Sequence, residues 1–395
     1  MTVLTTHVGK PAARATRAAA YRVQLMADWK QAVARWNDIS PSTPFQHPQW
    51  YAAWYDAFAI ADSVVPVIAI ITDAATGEQA ALLPLIRRRQ KNISVVEFAD
   101  LDLTDYNAPI LGPAAPRDAK AARRLWRELR IALRRMPGGA DLIRLRKVPR
   151  DIDSRLNPLA LLDDAGPCSL NGNIVITGDD YDAWRFTLEK TVRKELERSW
   201  RVFTRDPAAS FEIVTDNHEA LRILSTTEIQ QGTRMQSLGL NFILNDETCA
   251  AFYRNLVRDG VESGYALVTA LRVGDEIVAT LLGIRCGARY VMIRISNAGD
   301  KWSNCSPGRL IIERTMAALH ADGVREFDFS VGNYAYKRRF GVTPLPLVDI
   351  SAALGWRGWP YALRDRAARE LRNYPRLATR LKRALGKPPS REEGH

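Results

Sequence analysis

Ser303-Asn-Cys-Ser-Pro-Gly-Arg-Leu310 and, a short helix further on, Phe327 to Gly341 (FDFSVGNYAYKRRFG) are the two stretches whose reading decides the fold. In the first, Ser306 suits a helix N-cap and Pro307 the first helical position, which predicts a helix from Ser306 to about Asp322, ended by Gly323. Gly308 allows close backbone approach to a ligand. Free N–H groups at a helix start attract an anion, and Arg309 adds a side chain suited to phosphate. An ordinary helix start has the same Ser-Pro signature and is the plain alternative. The second stretch leaves a strand predicted over Val324 to Val331, with Phe327, Phe329 and Val331 on one face and Asp328 and Ser330 on the other. It gathers Asp328, Tyr334, Tyr336 and Lys337 beyond the carboxyl end of a strand, where α/β sheets place their sites. A solvent-facing Asp328 and a solvated basic turn at Lys337, Arg338 and Arg339 are the plain alternatives.

Outward from these stretches the chain reads as two similar halves. Strands over Ala266 to Val273 and Ile277 to Cys286 flank the hairpin signal Gly274-Asp275, and Arg289 to Ser296 makes a third. Helices are expected before them, from about His218 to Met235 and Asp246 to Ser263. The basic amphipathic run Asp180 to Arg205 reads as one further helix. In the first half, strands over Val64 to Thr72, Ala80 to Arg89 and Ile93 to Phe98 precede a loop, a helix from Asp118 to Met136 and a strand over Asp141 to Lys147. Trp50, Trp54 and Phe58 recur every four residues in an aromatic helical segment, Phe45 to Phe58. Strand, strand, strand, loop, helix, strand, occurring twice, implies an internally duplicated α/β fold.

Ser-Pro-Gly opening a helix, followed by FDFxxGxxxYKRRFG, resembles the BioF2-like, cellulose-biosynthesis-type acetyltransferases of the GNAT superfamily, distant relatives of the FemAB aminoacyl transferases. Asp105-Tyr-Asn-Ala-Pro109 also looks like that family. The resemblance is strong from Asp180 to Leu347, weaker from Phe45 to Lys147, and absent from the first forty residues and the tail. It implies an α/β fold of tandem GNAT-like domains, each a mostly antiparallel mixed sheet flanked by helices. The expected divisions are an ill-defined segment 1–40, a degenerate domain 41–179, an acyl-CoA-binding domain 180–350 and a basic tail 351–395. It further implies that the third and final strands of the second unit splay apart. The pantetheine arm would pair with the edge at Arg294, Ile295 and Ser296, and the coenzyme pyrophosphate would sit at Ser306, Gly308, Arg309 and Leu310. The common GNAT phosphate pattern [RQ]xxGx[GA] is replaced here by SPGR.

Acyl transfer needs a positioned nucleophile, a proton acceptor, an oxyanion contact and a proton donor to the leaving thiolate. Tyr336 is the expected donor, Asp328 or Glu228 the expected base, with Lys337 a further candidate. Asp105, Tyr106 and Asn107 are expected to face the acceptor, the plain alternative being a loop that only packs the domains together. No metal is expected: five histidines and four scattered cysteines (Cys168, Cys249, Cys286, Cys305) form no ligand spacing.

The chain has 395 residues and a net charge of +12, which favours anionic partners without choosing among them. From Trp356 to His395, eleven Arg and Lys stand against four Asp and Glu. Leu363, Ala367, Leu371, Tyr374, Leu377, Leu381 and Leu385 recur at helical spacing there, broken at Pro375. That face either docks on the core or dips into an anionic bilayer. No membrane-spanning run or signal sequence is read, and the cytoplasm is the expected home, with peripheral contact at the inner membrane face. Four readings remain: acyl transfer to a polar or saccharide acceptor of the cell envelope, acyl transfer to a long-chain amine at the membrane, aminoacyl transfer from charged tRNA, and a non-catalytic binding module. Nucleic acid is the least supported partner, for lack of an aromatic-basic signature.

Overall fold

The computed structural model describes residues 19–36, 43–59, 64–240, 242–332 and 334–372. The first half runs β1 (Tyr21–Met26), α1 (Trp29–Ala34), α2 (Pro48–Phe58), β2 (Val64–Asp73), β3 (Gln79–Gln90), β4 (Ile93–Phe98), β5 (Ile110–Leu111), α3 (Ala119–Arg135), β6 (Leu142–Pro149), the small hairpin β7 (Asp151–Ile152) and β8 (Arg155–Leu156), and β9 (Ala165–Ile176). The second runs α4 (Tyr181–Thr187), α5 (Lys190–Phe203), β10 (Ala209–Val214), α6 (Asn217–Ser237), α7 (Glu247–Gly260), β11 (Ala266–Val273), β12 (Glu276–Cys286), β13 (Arg289–Asn297), α8 (Pro307–Ala321), β14 (Glu326–Asp328), α9 (Ala335–Arg338), β15 (Thr343–Ala353) and α10 (Trp359–Arg372).

One large mixed sheet carries both halves, in the order β1-β2-β3-β4-β6-β15-β9-β14-β13-β12-β11-β10, with β5 attached to β3. The order is pseudo-symmetric about its centre. Each half contributes an antiparallel meander that ends in one parallel pair, β4 with β6 and β13 with β14. The two halves also exchange strands. β9, from the first half, pairs with β14 and β15, while β15, from the second, pairs with β6 and β9.

Alternating strand residues feed cores on the two sheet faces. On one face Ile68, Ile70 and Ile86 join Val268, Leu282 and Ile284 in a single cluster with Trp50, Trp54, Phe252 and Leu256 from α2 and α7. The Trp50 and Phe252 rings meet edge to face at 4.9 Å, so the two halves share this core. On the other face α3 covers the first half, and α5 and α8 the second. α3 illustrates the local logic. Asp118 caps it by accepting from Ala121 N at 2.8 Å, Leu125, Trp126, Leu129 and Leu133 bury one stripe, and Arg134 and Arg135 complement its carboxyl end.

Three expectations need correction. The run Asp180 to Arg205 is two helices, α4 and α5, parted at Leu188 and Glu189. The strand expected over Val324 to Val331 is only β14, because Ser330 takes a left-handed conformation (φ 66°) and its N–H turns back to Asp328 Oδ1 at 2.7 Å. The segment 1–40 contains β1 and α1. The tail stripe from Tyr374 to Leu385 and the break at Pro375 lie outside the described residues.

Candidate active site

β13 and β14 are paired only where Arg289, Tyr290 and Val291 face Glu326, Phe327 and Asp328. Beyond Val291 they separate. A bulge at Ile293, where Leu282 pairs Arg294 and Gly283 pairs Met292, bends β13 and turns Ile293 and Arg294 toward the same side. Among the described residues, the β14 side of Met292 to Asn297 therefore meets no strand.

A cleft of about 300 Å³ opens at this separation, lined by residues of both halves. Its floor is β13 at Ile293, Arg294 and Ile295, and Ile312 of α8 and Tyr253 of α7 form further parts of the wall. Phe329 to Val331, Tyr334, Tyr336 and Lys337 close one side, and Asp102, Leu103 and Asp105 close the other.

The Asp102–Asp105 wall is positioned by a buried network. Asp100 accepts from Thr104 N at 3.0 Å, Asn107 Nδ2 at 2.8 Å and Lys147 Nζ at 3.0 Å. Leu101, Asp102 and Lys147 all adopt positive φ (48°, 64° and 55°), a cost that this network offsets. Asp105 accepts a hydrogen bond from Ser330 Oγ across the junction of the halves. Burial raises its carboxyl to about 6, with the Ser330 bond and Lys147 pulling the other way.

Of the three residues expected at the acceptor side, only Asp105 lines the cleft. Tyr106 is buried, and its hydroxyl donates to Asp328 Oδ1 at 2.7 Å. Asn107 is fully buried, donating to Asp100 and, at 3.1 Å, to Arg146 O. Asp328 is fully buried too, with Arg289 on its second oxygen and Ser330 N and Tyr106 on its first. The solvent-facing alternative for Asp328 is thereby excluded, and so is a free oxygen aimed at the cleft.

Arg294 is held from α6 by Gln231 Oε1 at 2.6 and 3.1 Å, with Glu228 at 3.5 Å and the Tyr253 ring 4.6 Å from its guanidinium. Glu228 thus stands behind Arg294 rather than in the cleft wall. Ser296 Oγ joins a hydroxyl chain, 2.8 Å from Thr280 and donating to Gln230 Oε1 at 2.7 Å. Gln231 Nε2 donates to Ile295 O at 2.9 Å.

Tyr336 and Lys337 both reach the cleft. Burial raises the Tyr336 phenol to about 12, and the neighbouring Tyr334 adds to the rise. Burial lowers the Lys337 ammonium to about 8, against the pull of Asp105 and Asp328. Lys337 Nζ donates to Val331 O at 2.7 Å, which ties α9 to the chain leaving β14.

The first turn of α8 lies against the end of β13. A Cβ on Gly308 would have only Asn297 Nδ2 near it, at 3.5 Å, so the protein itself leaves room there. Ser306 does not act as the expected side-chain cap: it is left-handed (φ 48°), and its Oγ accepts from Arg309 Nη2 at 2.9 Å. Its carbonyl instead accepts from the Arg309 and Leu310 amides at 3.0 and 3.1 Å. Arg309 and Arg339 both donate to Glu195 Oε2 at 2.7 Å. Leu310 is fully buried in the core beneath α8. Cys305 is a buried free thiol that donates to Trp302 O at 3.1 Å. Among the described residues no group of His, Cys, Asp and Glu is arranged to hold a metal ion.

Residues 190–338, from α5 to α9, match a protein-family model. It is that of an acetyltransferase (GNAT) domain. The matched region contains β13, α8 and the Tyr336 side of the cleft. In fold, the chain is similar to the crystal structure of FemX (TM-score 0.55, 10% identity, covering 83% of this chain and 96% of that one). It is also similar to the C-terminal domain of a putative lysylphosphatidylglycerol synthetase from Agrobacterium fabrum (TM-score 0.50, 13% identity, covering 86% and 97%). At such identities the likeness is one of architecture. No protein of curated function matches the chain by sequence. Sequence reasoning named Ser330 only as a strand-face residue and did not single out Asp102, Lys147, Gln231, Tyr253 or Arg289. These five come from five separate elements or loops and carry no shared local motif.

Proposed function

We propose that this chain is an acyl-CoA-dependent acyltransferase of the BioF2-like kind, moving an acyl group from a coenzyme A thioester to an amine or hydroxyl of a cell-envelope, saccharide or lipid-type acceptor. It would work in the cytoplasm or at the inner face of the membrane. The observation that carries this reading is the free edge of β13, bulged at Ile293, which floors a cleft between the halves and runs out under the first turn of α8. An extended amide-bearing arm can add to such an edge as a further strand would, along Arg294, Ile295 and Ser296. The Gly308 amide at the α8 start, with Arg309 and Arg339 that now share the Glu195 carboxylate, suits a diphosphate.

In this reading the proton acceptor is Asp105 rather than Asp328 or Glu228. Its carboxyl faces the cleft and titrates near neutrality, where a general base is most effective. Asp328 acts at one remove, fixing Ser330, which in turn orients Asp105. Glu228 and Gln231 hold Arg294 against the floor. Backbone N–H groups at the bulge serve the oxyanion, and Tyr336, neutral at physiological pH, donates to the departing thiolate. Lys337 keeps the Tyr336 segment closed on the chain leaving β14.

Gly308→Leu tests the donor site. A Cβ at position 308 meets only Asn297 Nδ2, at 3.5 Å, so the variant should stay folded while binding coenzyme A at least about tenfold more weakly by calorimetry. Undiminished affinity in the folded variant would remove the proposed site. A lipid-type acceptor is favoured over the other acceptors by one feature, an exposed aromatic patch on α10 and the 3-10 turn before it.

A further inference from the structure

α10 and the 3-10 turn before it present two unlike faces. Inward, Tyr361 and Ala362 pack against Ile93, Val95 and Leu142. Asp365 accepts from Arg144 at 2.8 Å and Ser351 at 3.0 Å, and Arg369 donates to Asp164 O at 3.2 Å. Gly358 lies so close to the Asp141 carbonyl that no Cβ fits. This element is therefore fixed to the sheet, though not through the stripe expected to dock. Outward, Trp356, Trp359 and Leu363 are 81%, 59% and 58% exposed, and their spacing of three and four puts them on one helical face. Ala367 continues that face, also exposed.

Two indoles and a leucine left in water on a rigid support are a costly surface unless something covers them. The charge around them says what. Arg357 stands over the Trp356 ring at 5.8 Å and, with Arg89 and Arg134, lines the adjoining hollow. Arg366 flanks Leu363 on the other side, in a hollow that Asp163, Asp164 and Glu370 also line, so the excess of positive charge lies on the Arg357 side. Among the described residues none of these four arginines forms an ion pair. The chain following Arg372 carries six Arg and Lys against two Glu, and a second copy would bring the same arginines. Both would meet like charge, so the occupant brings negative charge.

We infer that the Trp356–Trp359–Leu363 face is a docking surface for an anionic phospholipid bilayer, with the indoles at the headgroup boundary and the arginines on the phosphates. Tryptophan favours that boundary, where one end of the ring is apolar and the other wet, and each arginine near an anionic surface adds to the attraction. The contact is peripheral: no helix among the described residues is long and apolar enough to cross a membrane.

The full chain is sedimented with vesicles of phosphatidylglycerol and phosphatidylcholine, or of phosphatidylcholine alone, at low and at physiological salt. Binding should require phosphatidylglycerol and weaken with salt. Trp356→Ser with Trp359→Ser should lower it at least tenfold while leaving the melting temperature unchanged, since both rings are exposed. Arg89→Glu with Arg357→Glu should lower binding to the anionic vesicles as well. Failure of the parent to bind anionic vesicles at low salt overturns the inference. So does unchanged binding by the tryptophan variant, or a parent dimer in size-exclusion chromatography that the tryptophan variant abolishes.

Discussion

Asp105 joins the two halves at the scale of a single side chain: it belongs to the first, is oriented by Ser330 of the second, and faces a cleft floored by β13. Its carboxyl titrates near 6 in the fold against about 3.9 in an unfolded chain, so the fold favours the protonated form. That contribution is present in full below about pH 4 and lost as the pH rises through about 6. Asp105→Asn, neutral throughout, should thus match the parent near pH 4 and exceed it at pH 7, by up to about 3 kcal/mol. Urea melts at the two pH values read this directly, and an equal difference at both would count against it. Turnover with an alkylamine acceptor should fall about 100-fold and lose its rise near pH 6. Hydroxylamine, already unprotonated at neutral pH, should still release the coenzyme thiol with the variant. The stretch Asp105 to Asn107 was legible as a site by resemblance alone. Which of its three side chains faces the cleft was not, because Asp328, Lys147 and Ser330 decide that from far along the chain.

At the scale of elements, the cleft exists because one strand bends and its neighbour stops. The alternation of Phe327 to Val331 reads as a full strand, and nothing local announces that Asp328 captures the Ser330 amide and ends it. β15 went unread for the opposite reason, since Pro344 and Pro346 argue against a strand. Both prolines lie where β15 pairs β9 alone, before its pairing with β6 begins at Leu347, so a missing N–H costs little there. β9 supplies a sensitive point in the same region. A Cβ on Gly172 would come within 2.2 Å of the Tyr106 hydroxyl and 2.7 Å of its ring, which is held in place by Asp328. Gly172→Ala should therefore cost about 1–3 kcal/mol through overpacking, measured by denaturant titration. Adding Tyr106→Phe should recover little, because the ring carbons still collide. Full recovery would show the hydroxyl contact alone to be at fault.

Across the whole molecule, the repeated order of strands and helix made the duplication legible, whereas the exchange of β9 and β15 was not. A hydrophobic pattern tells that a strand is buried and is silent on which neighbour buries it. Shared strands and the shared core of α2 and α7 predict one cooperative thermal transition, with calorimetric and van't Hoff enthalpies in agreement. Two separable transitions would mean that the halves hold together more weakly than their packing indicates. The exchange also has a consequence for how the protein is made. On the ribosome, β6 emerges nearly two hundred residues before the strand that covers its open edge. At roughly 5–20 residues per second that edge waits on the order of ten to forty seconds, and β9 waits nearly as long for both its partners. The first half therefore spends much of its synthesis as an unfinished sheet, its open edges available to pair with other chains.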